Sequence, residues 1–368
     1  MPVIQQTKPQ VAPKAVINVD YTHVARRASG IERITVEQFS GQALSPLQVK
    51  TYAASSRKRI SILLAQMVGL PLHALCNPGQ LYVFPGFPPS PYFSFDGTRS
   101  VLFVHDLFLL SRRGDLNNVG KYYMAPLFRL AINRFRHFLV NSATTARALR
   151  AYCDPSASIV PFRPFVRNVF ALSEDDRTSR PAFPKRLRIV SIGTIEPRKN
   201  FAEAAQICEA LAKRLGREVE FHIIGRLGWG PDISYLRSRT NVILHGYVDD
   251  ATARSIISTS DLMLCTSHDE GLCLPMIEVQ YSGMPVIAPD KGVFREVLGT
   301  SGVFLTHRSP EQAANQIADF IAAPLWRVTS VIAATDNIVR WNTIAEGDRV
   351  NVISFLSRLA SHLAPGSA

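Results

Sequence analysis

Residues 261–289 read DLMLCTSHDEGLCLPMIEVQYSGMPVIAP, and this stretch decides the fold of the chain. Residues 261–267 and 285–289 have the apolar character of buried strands. Between them, Pro275 is typical of a helix start, and Gly283 is typical of the position just past a helix end. Two strands joined through a short helix predict a βαβ unit of a parallel sheet.

Two glutamates flank the strand-to-helix turn of this unit. Glu270 follows the first strand, at the edge where open α/β sheets bind ligands, and Glu278 lies near the first helical turn. A hydrolase pair would need carboxyl groups roughly 5–10 Å apart, whereas eight residues of helix span about 12 Å. We interpret Glu278 as the acceptor for a ribose hydroxyl and Glu270 as the acceptor for hydroxyls of a transferred group. A solvated acidic loop beside a glutamate favoured at a helix N-terminus explains the same residues without a ligand.

A second motif, SIGTIEPRKN at residues 191–200, follows the apolar strand LRIV and precedes a helix that starts near Phe201. Arg198 and Lys199 lie just before that helix, whose N-terminal amides and dipole favour anions. A basic pair at such a position can stabilise the negative charge of a phosphate or diphosphate group. The sequence has no Asp-x-Asp pair to hold a metal, so we expect no metal cofactor. A solvated basic turn is the alternative.

These motifs and their spacing resemble the paired-glutamate pattern of glycosyltransferase family 4. The resemblance extends to FHIIGRLGWG (221–230), NVILHGYV (241–248), VLFVHDL (101–107) and SGIERI (29–34), and it covers about residues 20–359. It implies an α/β protein of GT-B architecture, with two Rossmann-like, doubly wound parallel-sheet domains that face a central cleft. It also implies a retaining, metal-independent hexosyltransferase with a nucleotide-sugar donor.

The resemblance assigns roles to individual residues. The catalytic residues that it implies are Glu270, His105, Arg198 and Lys199. The donor-binding residues that it implies are Glu278, Gly193, Arg198, Lys199, Arg226, Gly271, Leu272, Cys273 and Gly30. The resemblance also implies that the transferred sugar retains its anomeric configuration. Because no second carboxylate is evident as a nucleophile, we favour attack of the acceptor from the same face that the diphosphate leaves. The leaving phosphate oxygen then takes the proton of the acceptor hydroxyl.

The chain departs from the family pattern at three positions. Cys273 stands where many members have glycine, so a Cβ must be accommodated beside the backbone N–H groups that approach the sugar and phosphates. Thr194 stands where many members have arginine, which leaves Arg198 and Lys199 as the basic pair. Asn200 replaces a frequent glycine at the helix start, where we expect it to act as an N-cap.

A chain of 368 residues is too long for one ordinary core, and two α/β domains are expected. We predict an acceptor-binding domain over residues 1–172, after a loose polar leader at 1–14. A charged, Pro-containing linker over 173–185 leads to a nucleotide-sugar donor domain over 186–335. Residues 336–368 are expected to form C-terminal helices that cross back to the first domain.

The net charge of +12 is concentrated in the first half of the chain. Residues 1–172 hold 20 Lys and Arg against 7 Asp and Glu, a net charge of +13, and the rest carries −1. Such a surface attracts anionic lipid headgroups, a diphosphate-linked acceptor or nucleic acid. Residues 55–70, SSRKRISILLAQMVGL, predict an interfacial helix, although an ordinary amphipathic helix has the same pattern. We expect peripheral contact with an anionic membrane and no nucleic-acid partner.

Cysteine content and hydrophobic patterning indicate the cellular compartment of the protein. The 5 cysteines are scattered without a Cys-x-x-Cys pair, which indicates reduced thiols and argues against zinc. The sequence has no run of about 20 apolar residues and no signal-peptide pattern at its start. We therefore expect a cytoplasmic protein that is peripheral to the inner membrane.

Several functions remain open on the sequence. The donor expected is a hexose nucleotide, either GDP-mannose or a UDP-sugar, and the acceptor a lipid-linked molecule or a polysaccharide in cell-surface glycan synthesis. A dehydrogenase would need Gly-x-Gly-x-x-Gly after a strand, which this chain does not have. An inactive GT-B-like basic binding or scaffold protein is the alternative from another class.

Overall fold

The computed structural model of the chain describes residues 16–24, 30–175, 185–306 and 309–363. Within these ranges the chain forms two six-stranded sheets, one in each half, and every strand pairing shown is parallel. The leader expected at residues 1–14, most of the expected linker and Ser29 lie outside the described residues.

The first sheet is formed by six short strands of the first half of the chain. They are β1 (Val16–Asp20), β2 (Gln48–Tyr52), β3 (Leu81–Phe84), β4 (Ser100–Val104), β5 (His137–Val140) and β6 (Ser158–Pro161). Their spatial order is β2-β1-β3-β4-β5-β6. Strand β4 is fully buried, as expected for a central parallel strand covered on both faces. The order places the loop after β4 in the middle of the sheet's carboxyl edge.

Helices cover both faces of this sheet. They are α1 (Gly30–Phe39), α2 (Arg59–Leu64), α3 (Leu70–Cys76), α4 (Phe108–Ser111), α5 (Ala125–Arg134) and α6 (Ala143–Leu149). A π-helical turn, Ala65–Gly69, joins α2 and α3 into one helix, Arg59–Cys76, and a second π-helical turn, Gly120–Met124, precedes α5. Short 3₁₀ turns occur at Pro91–Ser94, Gly97–Arg99 and Arg113–Asp115.

The second sheet has the strand order of a Rossmann fold. Its strands are β7 (Arg186–Ile192), β8 (Glu218–Ile224), β9 (Val242–Gly246), β10 (Leu262–Leu264), β11 (Val286–Pro289) and β12 (Gly302–Leu305). Their spatial order is β12-β11-β10-β7-β8-β9, so the direction of winding reverses between β7 and β10. Ligands of doubly wound sheets bind at this switch point, outside the carboxyl ends of the strands.

Seven helices flank the second sheet or follow it in the described part of the second half. They are α7 (Phe201–Leu215), α8 (Asp232–Arg237), α9 (Asp250–Thr259), α10 (Pro275–Glu278), α11 (Gly292–Leu298), α12 (Pro310–Ala322) and α13 (Trp326–Leu363). Further 3₁₀ turns occur at Pro197–Lys199, Val279–Ser282 and Gly299–Ser301. Pro275 is the first residue of α10, and Gly283, with φ of +68°, ends the 3₁₀ turn that continues it. The helix boundaries read from Pro275 and Gly283 are confirmed.

Helix α13 links the two halves. It is one continuous helix of 38 residues that begins at Trp326, rather than several helices that begin near residue 336. The Trp341 indole is fully buried and donates to the Pro164 carbonyl of the first half at 2.8 Å. Beside it, Arg163 pairs with Asp348 of α13 at 2.7 Å and with Glu296 at 3.0 Å. These contacts fix the two sheets around a cleft onto which their carboxyl edges open.

Candidate active site

The two motifs of the second half meet at its switch point. The turn after β7 begins at Gly193, whose N–H donates to the Ile224 carbonyl at 2.8 Å. Gly193 has φ of +150°, and a Cβ at this position would lie 3.1 Å from the Lys199 Cε. The Lys199 side chain thus folds back over Gly193, which explains why this turn needs a glycine.

Glu270 binds both members of the basic pair. Its Oε2 accepts from Arg198 Nη1 at 2.6 Å, and its Oε1 accepts from Lys199 Nζ at 2.6 Å. The Arg198 guanidinium also donates to the Asp269 carbonyl at 3.0 Å and pairs with Glu196. These ion pairs join Glu270 to Lys199 and Arg198, which lie 71 and 72 positions before it in the sequence.

Electrostatics keep this cluster charged at neutral pH. Burial alone would raise the pKa of Glu270, but Lys199 and Arg198 outweigh burial and hold its pKa below the usual range. Burial would lower the pKa of Lys199, but the Glu270 carboxylate raises it above its ordinary value. An ammonium has three N–H donors and a guanidinium five, so both cations keep donors for an anionic ligand while they hold Glu270.

Glu278 meets the first half of the chain rather than this cluster. Its carboxylate, 4% exposed, pairs with the Arg33 guanidinium of α1, across the cleft. Burial raises the pKa of Glu278, and Arg33 offsets part of that rise. The sequence did not suggest Arg33, because nothing local marks one basic residue of α1 as the partner of a carboxylate 245 positions away.

His105 and Asp106 form the opposite wall, at the carboxyl end of β4. The His105 Nε2 donates to the Pro85 carbonyl at 2.7 Å, and burial lowers the pKa of His105 to about 4, so its ring is neutral at pH 7. The Asp106 carboxylate accepts from the Phe108 N–H at 3.0 Å, and burial raises its pKa to about 6. Asp106 was not among the predicted site residues, although the HD dipeptide after a buried strand could have drawn attention to it.

The two walls touch at Gly271. A Cβ built on Gly271 would lie 2.0 Å from the His105 carbonyl oxygen, and the Gly271 carbonyl accepts from Ser142 Oγ at 3.0 Å. Above the same wall, the Arg198 guanidinium stacks on the Phe108 ring at 4.7 Å. Glycine at position 271 therefore permits the two domains to approach closely beside Glu270.

The other predicted site residues have diverse surroundings. Cys273 has φ of +67°, in the left-handed region that favours glycine, whereas Leu272 is buried. Arg226 is exposed, with its guanidinium 5.4 Å from the centre of the Tyr247 ring. Gly30 begins α1, and a Cβ there would have open space around it.

Asn200 corrects one expectation. It has φ of +53° and ψ of +43°, and its side-chain amide N–H donates to Glu203. Its side chain accepts no hydrogen bond from the backbone N–H groups at the start of α7. Asparagine tolerates this left-handed conformation better than most residues, so it replaces glycine through its backbone rather than as an N-cap. In contrast, Asp249 caps α9 through its side chain, since it accepts from the Thr252 N–H at 2.8 Å.

No group of three His, Cys, Asp or Glu side chains is placed to hold a metal ion anywhere in the part of the chain that the structure describes. The site geometry therefore consists of two cations and the carboxylate of Glu270 at the switch point, a second carboxylate at Glu278, and the neutral His105 ring on the facing wall.

Comparison with known proteins gives a family match for the second half of the chain and solved structures with a similar fold. Residues 173–330 match the family described as Glycosyl transferases group 1. A stretch of 139 residues is 26% identical to the serotype-specific mannosyltransferase WbdA of Escherichia coli, and it covers 36% of this chain but only 17% of that protein. The chain thus corresponds to a small part of the length of WbdA.

Solved structures resemble the chain over nearly its whole length. Sucrose-phosphate synthase from Thermosynechococcus elongatus is similar with a TM-score of 0.69 and 14% identity, over 94% of this chain and 99% of that one. Anabaena HepE, in complex with UDP and glucose, is similar with a TM-score of 0.64 and 16% identity, over 94% of this chain and 100% of that one. The expected architecture is confirmed: the chain has the GT-B fold, and residues 173–330 are similar to the glycosyl transferases group 1 family.

Proposed function

We propose that the protein is a retaining glycosyltransferase that moves a hexose from a nucleotide sugar to a lipid-linked or polysaccharide acceptor in cell-surface glycan synthesis. The observation that carries the proposal is the meeting of Glu270, Arg198 and Lys199 at the switch point of the second sheet. Mannose from GDP-mannose is the first donor to test, because the relative WbdA is named a mannosyltransferase.

The proposed chemistry needs little beyond charge stabilisation and positioning. The bond between the anomeric carbon and the diphosphate oxygen breaks, and the acceptor hydroxyl oxygen bonds to the same face of that carbon. The leaving phosphate oxygen takes the hydroxyl proton, while Arg198 and Lys199 stabilise the diphosphate charge. Glu270 accepts hydrogen bonds from the sugar hydroxyls, and Glu278 accepts from the ribose.

The neutral ring of His105 fits a role at the donor sugar. Because its Nε2–H donates to the Pro85 carbonyl, Nδ1 carries no proton in this tautomer. Nδ1 can therefore accept a hydrogen bond from a sugar hydroxyl but cannot donate one to a phosphate oxygen. A ring with a pKa of about 4 carries no positive charge at neutral pH. Stabilisation of the diphosphate is thereby left to the basic pair.

The test is transfer of radiolabelled mannose from GDP-mannose to a bacterial lipid extract and to mannan, with the product's anomeric configuration read by NMR. Retained configuration supports the proposal, and inverted configuration contradicts its mechanism. If neither transfer nor donor hydrolysis occurs and no nucleoside diphosphate raises the melting temperature, the inactive binding or scaffold protein becomes the better explanation.

A UDP-sugar is the alternative donor, because the structurally similar HepE is described in complex with UDP and glucose. A thermal-shift series with GDP, UDP, TDP and ADP separates the two donors. A ligand that binds only the native state at 100 times its Kd stabilises the protein by about 2.7 kcal/mol. The largest shift identifies the base, and a preference for UDP would replace GDP-mannose in the proposal.

We expect activity to persist in EDTA. In the proposed mechanism Arg198 and Lys199, beside the N-terminus of α7, supply the positive charge at the diphosphate in place of a divalent cation. The measurement compares transfer rates after dialysis against EDTA with rates in added Mg²⁺ or Mn²⁺. Loss of activity that either metal restores would contradict the metal-independent mechanism.

We expect Glu278→Ala to raise the donor KM more than Glu270→Ala does, whereas Glu270→Ala should lower kcat more. The reason is that ribose binding is equal in the ground and transition states, while contacts to the transferred sugar change during reaction. Steady-state kinetics of both variants give the comparison. The reverse order would mean that the two glutamates have exchanged roles.

Arg33→Met is the companion variant for the Glu278 prediction. It removes the cation that opposes the burial-driven rise in the pKa of Glu278, so the carboxyl group protonates at higher pH than in the wild type. Since a protonated carboxyl accepts ribose hydroxyls poorly, donor binding should weaken as pH falls, and should do so at higher pH in Arg33→Met.

The proposed membrane contact lies on the helix Arg59–Cys76, here named the apolar helix. Its exposed face carries a stripe of large apolar side chains spaced three to four residues apart, which are Ile60, Leu64, Val68, Leu72 and Leu75. Its opposite face packs on the first domain through Ile62, Gln66, Leu70 and Ala74, all buried. A stripe of this kind beside exposed basic residues is typical of a helix that lies in a membrane interface.

The apolar helix is also long and apolar enough to be considered as a membrane span, with a mean hydropathy of 1.5 over 18 residues. Burial of one whole face against the first domain favours a position in the interface over a spanning one. The protein is therefore proposed to work at the cytoplasmic face of the inner membrane, where its basic first domain meets anionic lipid.

Charge reversal of Arg57, Lys58 and Arg59 to glutamate should weaken binding to anionic vesicles, because these exposed residues begin the apolar helix. Binding of the wild type should also fall as salt rises. Co-sedimentation with vesicles measures both effects. The matched control reverses the exposed charges of Lys213, Arg214 and Arg237 in the second domain. Equal loss in the control, or no loss in the first variant, would exclude this cluster as the contact.

A further inference from the structure

A cavity of about 250 Å³ lies between the two domains, directly beside the proposed donor site. Its polar lining is contributed by Asp106, Glu196 and Arg198, together with His105, Arg112 and Asp115. Most of the remaining wall is hydrocarbon, contributed by Phe108, Leu109, Leu116, Met124 and Phe128. The hydrocarbon part of this wall offers no hydrogen-bond partners for the hydroxyls of a sugar, whereas it matches the surface of an apolar chain.

The rim of the cavity is held across the cleft. The Trp229 indole, from the loop after β8, donates to the Asp115 carbonyl of the first domain at 2.9 Å. Trp229 and Asp115 both line the cavity, and the Trp229 side chain is partly exposed. The cavity thus lies between a wall from each domain, and the Arg198 guanidinium is part of its lining.

The cavity is backed by the apolar helix. Gln66, on the buried face of that helix, donates to the Pro88 carbonyl at 2.6 Å and accepts from the Tyr123 hydroxyl at 3.4 Å. Pro88 and Met124, the neighbour of Tyr123, line the cavity. The face that would meet a membrane and the hydrocarbon wall of the cavity are therefore separated by one helix.

From this juxtaposition we propose that the cavity binds a hydrocarbon chain attached close to the accepting hydroxyl, so that the acceptor is a lipid-linked molecule rather than a free polysaccharide. This rests on the proposed function and chooses between the two acceptor classes. The hydrocarbon chain of the acceptor lies against Phe108, Leu116 and Phe128. The accepting hydroxyl lies in the part of the cavity beside Arg198. A membrane-bound acceptor enters this cavity without leaving the lipid surface that the apolar helix contacts.

The test compares methyl α-mannoside with decyl α-mannoside, the latter below its micelle concentration, as acceptors for the full chain in the absence of lipid. The shared sugar cancels, so the ratio of KM values reports the alkyl chain alone. We expect the KM of the decyl compound to be lower by about tenfold or more, which corresponds to the burial of about two methylene groups. Equal KM values for the two compounds would overturn the proposal.

Leu116→Asn tests whether the alkyl chain of the acceptor binds in the cavity. It should raise the KM of the decyl compound and leave that of the methyl compound unchanged, because only the alkyl chain meets the altered wall. Leu325→Asn, at an exposed position of the second domain, is the matched control and should change neither value. Leu72→Asn, on the exposed face of the apolar helix, tests whether the chain binds there instead. An effect of Leu72→Asn without one of Leu116→Asn would overturn the cavity assignment.

A binding readout needs no transfer. The chain has 3 tryptophans, of which Trp326 and Trp341 are buried and Trp229 lies at the cavity rim. A decyl mannoside with a terminal bromine should quench Trp229 fluorescence saturably, and methyl mannoside should not. Quenching without transfer to any acceptor would contradict the proposed function and leave the cavity assignment intact. Absence of saturable quenching, together with normal donor hydrolysis, would contradict the cavity assignment alone.

Discussion

Lys199→Ala should lower kcat/KM for transfer by roughly 30- to 1000-fold, which corresponds to about 2–4 kcal/mol of transition-state stabilisation. The Lys199 ammonium lies 2.6 Å from the Glu270 carboxylate, at the turn that faces the N-terminus of α7. We propose that its charge stabilises the leaving diphosphate. Since charge on that group grows as the bond breaks, loss of Lys199 should affect the transition state more than substrate binding.

Steady-state kinetics and thermal shifts with the preferred nucleoside diphosphate provide the measurement. The variant should also bind the diphosphate more weakly while keeping its fold, because Arg198 still pairs with Glu270. Lys213→Ala, at an exposed position of α7, is the matched control and should behave as the wild type. Activity of Lys199→Ala within about twofold of the wild type would contradict the role of the basic pair.

Much of the second domain could be predicted from local sequence signals. Pro275 and Gly283 bounded one helix correctly, and the apolar runs beside them became β10 and β11. Such signals depend on backbone geometry that a few neighbouring residues determine, namely the fixed φ of proline and the positive φ of glycine. The same logic placed Glu270 at the carboxyl edge of the sheet, where it is found.

Contacts across the cleft could not be read in this way. The pairing of Arg33 with Glu278 depends on the relative position of two domains, and that position is set by contacts such as Trp341 with Pro164. No periodicity or spacing encodes such a distance. Asp106 was missed for a related reason, since burial in the folded protein raises its pKa to about 6 and no local sequence signal shows that burial.

Asn200 shows a different limit of sequence interpretation. Asparagine is favoured both as an N-cap and in the left-handed conformation, and the sequence does not distinguish these two uses. The structure selects the second, with φ of +53°. Cys273 has φ of +67° at a position where glycine is expected, and its side chain is accommodated despite that conformation. At both positions the sequence indicated a site where glycine is frequent. Only the dihedral angles show that the reason is a positive φ.

Gly271→Ala should lower kcat for transfer by about 100-fold, with a smaller effect on nucleoside diphosphate binding. The added Cβ would lie 2.0 Å from the His105 carbonyl oxygen and 3.1 Å from the Asp106 Cβ. A contact of 2.0 Å with a backbone oxygen cannot be relieved by rotation of a side chain, so the two walls of the cleft must separate. A displacement of about 1 Å in the reacting groups is enough for a loss of this size.

The measurement combines transfer kinetics with thermal shifts by the nucleoside diphosphate, which is proposed to bind mainly to the second domain. Gly271 is not among the described glycines with positive φ, so space rather than backbone strain is the requirement that the variant tests. Gly347→Ala is the matched control, because a Cβ at that position in α13 has no neighbour within 4 Å. Near-normal transfer by Gly271→Ala would show that close approach of the two walls is not needed for the reaction. Equal loss of diphosphate binding and transfer would instead indicate that the variant damages the donor loop itself.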